Sequence, residues 1–405
     1  MQTKDQRDSL LKGIRILDLS DEKASFCSKL LADMGAYVIK IERPGGDSSR
    51  NIGPFLGNAP HPERSLFFFH NNTNKMGITL NLEHWEGRKI FCRLVEKADV
   101  VVESFSPGTL KELGLGFEVL SQTNPKLILV SVTGFGQNGP RSKYRSCDIV
   151  ASAFGGQMYV SGSPSTPPLK PFGEQPTYTA CLFAAIGVLL AFKKRAQSGK
   201  GEHIDISIQE AVVSTLEHVW VRYFYENVIP HRQGSYHWNN NFCIVSCKDG
   251  HILISLLQQW ETLVEWMSSE GMAEDLIDDR WKEEECRQRH MDHVIEVIQR
   301  WAKNHTAQEL FEQGQLMRFP WAPVCSIKDV LESPQLESRG FFVEVGHPEI
   351  GKFVQYSGAP YKFNRCSLGR WKRAPQIGED NIQIYQEELG LSNEELNRLS
   401  SINVI

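Results

Sequence analysis

Apolar and polar positions in the first half of the chain follow two alternating rhythms. Short β-rich runs recur at GIRILDLS (13–20), AYVIKIE (36–42), GITLNL (77–82), ADVVVES (98–104) and KLILVSVT (126–133), and each predicts a strand. Between them, apolar residues return at helical spacing. Phe26, Leu30, Leu31 and Met34 share one face of a helix over 26–34. Ile90, Phe91, Leu94 and Val95 do the same over 85–97. The β-branched centre of AYVIKIE predicts a strand buried on both sides. The alternation is that of βαβ units, hence a parallel sheet with right-handed crossovers. A long apolar helix over 178–195 follows, with basic residues in its last turn and Gly199 as its stop. HIDISIQEAVV (203–213) passes from strand into helix.

The pattern then changes. Residues 217–330 are richer in Trp, Glu and His and poorer in β-branched runs, which predicts a mostly helical small domain with a hairpin at Asp249-Gly250. From 340 onward strands and glycine turns return, and the chain ends in a helix near Asn393 to Leu399. No internal repeat or low-complexity tract is visible. A length of 405 residues suits two or three domains and a large core without disulfides or metal.

Composition narrows the function classes. Basic side chains number 44 and acidic ones 49, a net charge of −5, which argues against a nucleic-acid binder. Apolar content of 41% and charged content of 23% fit a globular chain and exclude a disordered one. The first residues are polar and do not resemble a secretory signal, and the uncharged run 178–192 is too short to span a bilayer. Nine irregularly spaced cysteines read as reduced thiols in a cytoplasmic protein. Cys243 and Cys247 with His237 and His251 nearby hint at zinc, but no second Cys pair follows, so two half-buried thiols on a strand are the plainer reading.

Several motifs carry candidate chemistry. GFGQNG (134–139) follows a strand and matches the glycine pattern of dinucleotide-binding turns. Its context is wrong for a nicotinamide enzyme: Pro140 comes next, RSKYR does not open a packed helix, and no acidic residue closes a following strand. A turn exposing backbone to another phosphate-bearing ligand remains open. ERPGGDSSR (42–50) sets Arg43 and Arg50 around a glycine turn, either to hold phosphate in a fork or to pair with Glu42 or Asp47. Asn74, Lys75 and Arg145 are further candidate phosphate or amide contacts.

Taken together, LLADMGAYVIKIERPGGDSSR, NTNKMGITLNL, ADVVVESFSPGTLKELGLGFEVL, NPKLILVSVTGFGQNGP, SGKGEHIDISIQEAV, WAPVCSIKDVLESPQLESRGFF and APQIGED resemble the class III coenzyme A transferases, the formyl-CoA and crotonobetainyl-CoA transferase type. With LLKGIRILDLS before them, they run in family order from about residue 10 to the C-terminus. The opening DLSDEKASFCSKLLADMGA most resembles the benzylsuccinate CoA-transferase subunits of anaerobic toluene degradation. The resemblance implies a Rossmann-like large domain over 1–215 and 335–405, a smaller α+β domain over 216–334, and two interlocked chains. It implies a CoA thioester as substrate, with no tightly bound cofactor. By position, Lys23, Arg43, Asn74, Lys75, Ser104, Phe105 and Arg145 would line the CoA site, and Gly136, Gln137, Tyr236 and Trp238 the substrate pocket, with Phe67 to Phe69 as further aromatic candidates. The family usually has Asn where Ser104 stands and often Arg where Ser106 stands.

One departure matters more. Family members move CoA through an aspartate that attacks the thioester and becomes a mixed anhydride. Its place here falls on Thr177. A threonine hydroxyl needs a base, and the ester it would form is far less activated than a thioester, so the relay would stall. Glu174, three residues earlier, is a candidate displaced nucleophile or else a loop residue capping the next helix. Asp148 reads as a structural hydrogen-bonding residue. A racemase branch of the family uses a His and an Asp, but Cys147 and Thr177 stand in those places. The expectation is therefore a subunit lacking the nucleophile, paired with a homologous Asp-bearing chain. The alternatives are a homodimeric transferase using Glu174 and a non-catalytic CoA-binding or assembly protein.

Overall fold

The computed structural model describes residues 9–237, 242–255, 259–366, 368 and 371–405. Two compact units result. One comprises Met1–Met158, Lys170–Asn227 and Arg339–Ile405, the other Tyr159–Leu169 and Val228–Ser338. The resemblance implied boundaries at 216 and 335. The structure keeps 216–227 with the first unit because the Trp220 indole donates back to the Val213 carbonyl at 3.0 Å.

The first unit is built on six strands: β1 (Arg15–Asp18), β2 (Tyr37–Glu42), β3 (Met76–Thr79), β4 (Val100–Glu103), β5 (Ile128–Thr133) and β6 (His203–Ser207). All pair in parallel, in the order β3-β2-β1-β4-β5-β6, the doubly wound order of Rossmann sheets. Side chains alternate between two cores. Leu17, Ile39, Ile78, Val101 and Leu129 face one side, and Ile16, Val38, Val100, Ile128 and Val130 the other. Burial on both faces is why these strands read as continuous apolar runs.

Helices cover both faces. They are α1 (Ser25–Asp33), α2 (Leu66–Asn71), α3 (Trp85–Val95), α4 (Thr109–Glu112), α5 (Phe117–Thr123), α6 (Asp148–Phe154), the short α7 (Gln157–Val160), α8 (Gln175–Ser198), α9 (Ile208–Ser214) and α10 (Glu217–Val221). The apolar face of α3 meets the first core through Ile90, Phe91 and Leu94. The small residues Ala180, Ala184, Ala185 and Ala191 of α8 pack into the second core beside α1. The opposite stripe of α8 leaves Leu182, Phe183, Ile186, Leu189 and Leu190 exposed. At 24 residues, α8 is longer than the apolar run 178–192. Among the described residues it is the one helix long and apolar enough to cross a membrane by length and composition, which corrects the sequence expectation; under half of its most apolar window is buried.

The second unit has an antiparallel sheet of β7 (Phe242–Ser246), β8 (His251–Ser255) and β9 (Ala322–Pro323). The β7–β8 connection spans Asp249-Gly250, where a hairpin was predicted. Its helices are α11 (Trp260–Ser269), α12 (Glu284–Arg289), α13 (Met291–Ala302), α14 (Ala307–Leu316), α15 (Ile327–Leu331) and α16 (Pro334–Ser338). Cys243 and Cys247 lie in its core with Trp260, Trp301 and Trp321.

The C-terminal segment returns to the first unit as a hairpin, β10 (Phe342–His347) with β11 (Lys352–Ser357), and ends in α17 (Asn393–Ser401). It also seals the edge strand β3. The Gly77 amide donates to the Asp380 carboxylate at 2.7 Å, and the Asp380 amide donates to the Gly77 carbonyl at 2.9 Å. One step along, the Thr79 amide donates to the Asn381 side chain at 2.9 Å, and the Tyr385 hydroxyl donates to the Thr79 carbonyl at 2.5 Å. These bonds satisfy backbone groups that a sheet edge would otherwise leave open.

Buried ion pairs tie the sheet to its flanking segments. The Lys75 ammonium is fully buried and donates to Asp18 Oδ2 at 2.8 Å, the Ser25 carbonyl at 2.9 Å and Asn72 Oδ1 at 2.8 Å. Burial alone would raise the Asp18 pKa, but Lys75 and Lys40 outweigh it and hold the carboxyl at about 2. Removing one member of such a pair strands the other without water. Lys75→Met should therefore lower unfolding free energy by roughly 3–5 kcal/mol in urea titrations. A variant of unchanged stability with only weaker CoA binding would make Lys75 a ligand contact instead.

Candidate functional site

The strand order reverses between β1 and β4, so the loops leaving those strands part and open a crevice. A cavity of about 760 Å³ lies there, at the C-terminal ends of the first four strands. Leu19, Ser20 and Asp21 come from the segment after β1, and Arg43 to Ser48 (except Gly45) from the turn after β2. Leu80 to Glu83 follow β3, and Ser104, Phe105 and Thr109 follow β4. The β2 turn needs glycine: Gly46 has φ +93°, and an added Cβ would sit 2.8 Å from the Arg50 side chain.

The lining is acidic, but most of its charge is spoken for. Arg50 grips Glu42 through two nitrogens at 2.6 and 2.8 Å, reaches Glu63 at 2.8 Å, and lies 3.7 Å from the centre of the Phe68 ring. Asp47 pairs with buried Lys40 at 2.5 Å, and Asp21 pairs with Lys23. Ser104 Oγ accepts from the Asp21 amide at 2.8 Å and donates to its carboxylate at 2.6 Å, pinning the β1 loop to the β4 loop. Arg43 differs. It is exposed, and its nearest carboxylate, Glu83, is 3.9 Å away. Among the described residues Arg43 is thus the one cation lining the cavity, with most of its charge uncommitted.

Of the residues proposed for a CoA site, the structure brings Arg43, Ser104 and Phe105 to the cavity. Lys23 is tied to Asp21 at its border. Asn74 does not line it: its side chain donates to Asp33 at 2.6 Å and accepts from the Lys372 amide at 2.7 Å. Lys75 is sealed in the core with all three protons used, and Arg50 is consumed by Glu42 and Glu63, so neither is a free phosphate ligand. Arg145 is exposed and outside the lining. Sequence reasoning missed Asp21, Asn81 and Glu83 and named Asp47 only as an ion-pair partner. Their shared signal is position: each sits two to five residues past the end of a parallel strand.

The GFGQNG turn follows β5 away from this cavity. Gly136 has φ +84°, and the Gln137 amide donates to both Asp205 oxygens, at 3.1 and 2.9 Å. An internal carboxylate therefore occupies the amide that a phosphate would need. In the second unit the Tyr236 hydroxyl donates to Asp292 at 3.1 Å, and burial together with that carboxylate pushes its pKa up to about 12. Trp238 lies outside the described residues. Phe68 is core beneath Arg50, and Phe69 packs 5.3 Å from the His347 ring.

A second locus lies at the head of α8. Thr177 is buried there, and its amide donates to Asp148 Oδ1 at 3.0 Å. Asp148 opens α6 and pairs with Lys170 at 3.0 Å. Glu174 occupies the N-cap position of α8, yet its side chain makes no capping bond. Asp148 does that work instead, which corrects the reading of Glu174 as the cap. Burial, and then the charge of Asp148, raise the Glu174 pKa. The head of this helix thus brings the Thr177 residue together with two acids, Asp148 and Glu174, and one lysine, Lys170.

A parallel doubly wound sheet with a crevice at its switch point, joined to a second α+β unit, defines a nucleotide-type ligand fold. A family model described as CoA-transferase family III matches residues 11–381, and the chain belongs to that family. It is 32% identical over 382 residues to the succinyl-CoA:(R)-benzylsuccinate CoA-transferase subunit BbsE of Thauera aromatica, covering 92% of this chain and 93% of that one. It is 31% identical over 401 residues to the succinyl-CoA–L-malate CoA-transferase beta subunit of Chloroflexus aurantiacus, 98% of each chain. Its fold matches the crystal structure of a CAIB/BAIF family protein from Brucella suis with a TM-score of 0.85, at 28% identity, over 94% of this chain and 100% of the other. The protein is thus a CoA-transferase of mixed α/β fold, with CoA thioesters as its substrate class.

Arg43 is the residue whose removal tests the cavity. Arg43→Ala should weaken CoA binding roughly tenfold by calorimetry, with a shallower salt dependence and unchanged stability. Equal affinity in the variant would place the CoA phosphates elsewhere.

Proposed function

We propose that this chain is the non-nucleophilic subunit of a heteromeric, cytoplasmic CoA-transferase that moves CoA from succinyl-CoA to benzylsuccinate. The observation that carries the reading is Thr177 at the head of α8. In a transferase relay, a carboxylate oxygen attacks the thioester carbonyl, the carbon–sulfur bond breaks, and CoA leaves as its thiolate. The resulting anhydride is as activated as the thioester. The acceptor carboxylate attacks the nucleophile's own carbonyl and displaces the donor acid, giving a second anhydride; the thiolate then attacks the acceptor's acyl carbon, which closes the new thioester and frees the carboxylate nucleophile. Thr177 would need a base to lose its proton. Asp148 is the adjacent carboxylate, and it is committed to the Thr177 amide and to Lys170. The ester formed would then release alkoxide less readily than thiolate, and CoA would not be returned.

An Asp-bearing homologue supplies what is missing. Two features support a partner. Relatives include subunits named alpha and beta of one CoA-transferase. The exposed stripe Leu182, Phe183, Ile186, Leu189 and Leu190 on α8 is an apolar face of the kind that interfaces cover. Benzylsuccinate rests on the likeness to the Thauera subunit and on the opening DLSDEKASFCSKLLADMGA.

A second reading has its own observation. The raised Glu174 pKa and its half-buried place beside Asp148 suit a displaced nucleophile in a homodimer. One experiment separates the two. Purified alone with succinyl-CoA, the chain should form no hydroxylamine-sensitive adduct detectable by mass spectrometry. Co-expressed with an Asp-bearing homologue, the adduct should appear on that homologue, and Glu174→Gln should leave the rate within about twofold. An adduct on this chain alone, abolished by Glu174→Gln, would establish the homodimer.

A further inference from the structure

The cavity wall includes one residue from a distant part of the chain that the transfer chemistry does not use. Asn403 lines the cavity beside the residues that follow β1 to β4. It is brought there by the way α17 stops. The Asn403 amide donates to the Ser400 carbonyl at 3.0 Å, and the Val404 amide donates to the Leu399 carbonyl at 2.9 Å. These two bonds are those of a Schellman turn, which needs one residue in the left-handed region. Asn403 is that residue, with φ +57°. The same turn sets Val404 with Leu399 in the first core, the apolar contact that accompanies such stops. Val404 is fully buried, and its neighbour Asn403 stays exposed.

The backbone there is fixed. The Asn81 amide donates to the Val404 carbonyl at 2.8 Å, and the Asn81 side chain donates to the Asn403 carbonyl at 3.3 Å. Arg398 anchors α17 to Glu86 of α3 through two nitrogens, at 3.0 and 2.6 Å. Both backbone polar groups of Asn403 are thus engaged, while its side-chain carboxamide has no partner among the described residues. The left-handed turn explains only part of the residue choice. Glycine is the commoner residue at such a stop and carries no Cβ penalty; asparagine adds a group with an acceptor and two donors side by side.

The surroundings of that group are distinctive. Leu82 follows Asn81 and lines the cavity with Phe105 and Leu113, and all three pack with the cluster that holds Val404. One residue further, Glu83 is 3.9 Å from the exposed Arg43. The segment 81–83 therefore has a free carboxamide beside its first residue, an apolar side chain in the middle and the exposed cation at its last. A planar base joined through a sugar to phosphate presents matching features in the same sequence.

We propose that Asn403 is a specificity-determining residue that reads the adenine of CoA. Its carboxamide pairs with the 6-amino group and an adjacent ring nitrogen, while Leu82, Phe105 and Leu113 cover the ring. The inference rests on the reading that CoA occupies this cavity. A carboxamide suits adenine because both set one donor next to one acceptor, and such a paired contact discriminates against a base lacking one of those groups by about tenfold or more. The pairing is between neutral groups, so it selects the base, and the phosphate charge is left to Arg43.

Two ligands test this: adenosine 3′,5′-bisphosphate and its analogue with hydrogen in place of the 6-amino group, each titrated calorimetrically into the intact protein. The wild type should bind the adenosine form about tenfold tighter. Asn403→Gly suits the left-handed turn and removes only the carboxamide, so it should unfold at the wild-type temperature or slightly above and bind the two ligands equally. A wild type without the preference refutes the proposal on its own. A variant that keeps the preference refutes it too, and an equal weakening of both ligands with the preference intact would make Asn403 a support of the cavity wall instead. If the wild type binds CoA but neither nucleotide, the base lies outside the cavity and this inference alone fails. If it binds none of the three, the assignment of the cavity to CoA fails as well.

Discussion

The sheet's functional edge depends on how its buried charges are neutralised. Asp18 and Glu42 end the adjacent parallel strands β1 and β2, and both are buried. Each would be costly alone in the interior, and each is matched by a cation from a later segment: Lys75 from the turn before β3, and Arg50 from the turn after β2. The pairs bring those turns to the strand ends and so shape the cavity rim. They also withdraw two cations from any role with phosphate. Among the described residues the rim is left with Arg43, on a loop stiffened from below by the Glu42–Arg50–Glu63 cluster.

This explains which parts of the structure the sequence disclosed. The doubly wound unit was legible because each of the first five strands is a compact β-branched run and the helices after β1 and β3 keep their period, whereas the shorter α2, α4 and α5 were not read. The β7–β8 hairpin was legible because Asp249-Gly250 is a turn signal with few other meanings. The family was legible because its motifs recur in order along nearly the whole chain. The fate of individual charges was not. Arg43 and Arg50 stand seven residues apart in one polar turn, and nothing local says that one is exposed and the other buried over Phe68. Lys75 looks like a surface lysine until β3 carries it into contact with Asp18. Burial of a charge is decided by partners distant in sequence, and spacing does not encode those.

Two loci stand out: a crevice at the strand ends lined by the exposed Arg43, and the head of α8, where the Thr177 backbone is clasped to Asp148. On the proposed reading the first would hold CoA and the second would lack the nucleophile. Asp148 caps the helix, neutralises Lys170 and crowds Glu174 at once, so its role is architectural whichever subunit carries the nucleophile. If, as proposed, the chain is relieved of covalent catalysis, position 177 is still constrained by the packing of its helix. This accounts for a small, buried, β-branched residue being accommodated at position 177.

The bonds that close the outer flank of β3 have a consequence for assembly. Asp380, Asn381 and Tyr385 imitate a seventh strand without being one, answering the flank's donors and acceptors with two side-chain groups, a phenol and a single amide. No template for strand addition remains on that flank. Whatever associates with the protein there must do so through side chains and helices, so chains cannot join into a continuous ribbon by way of β3.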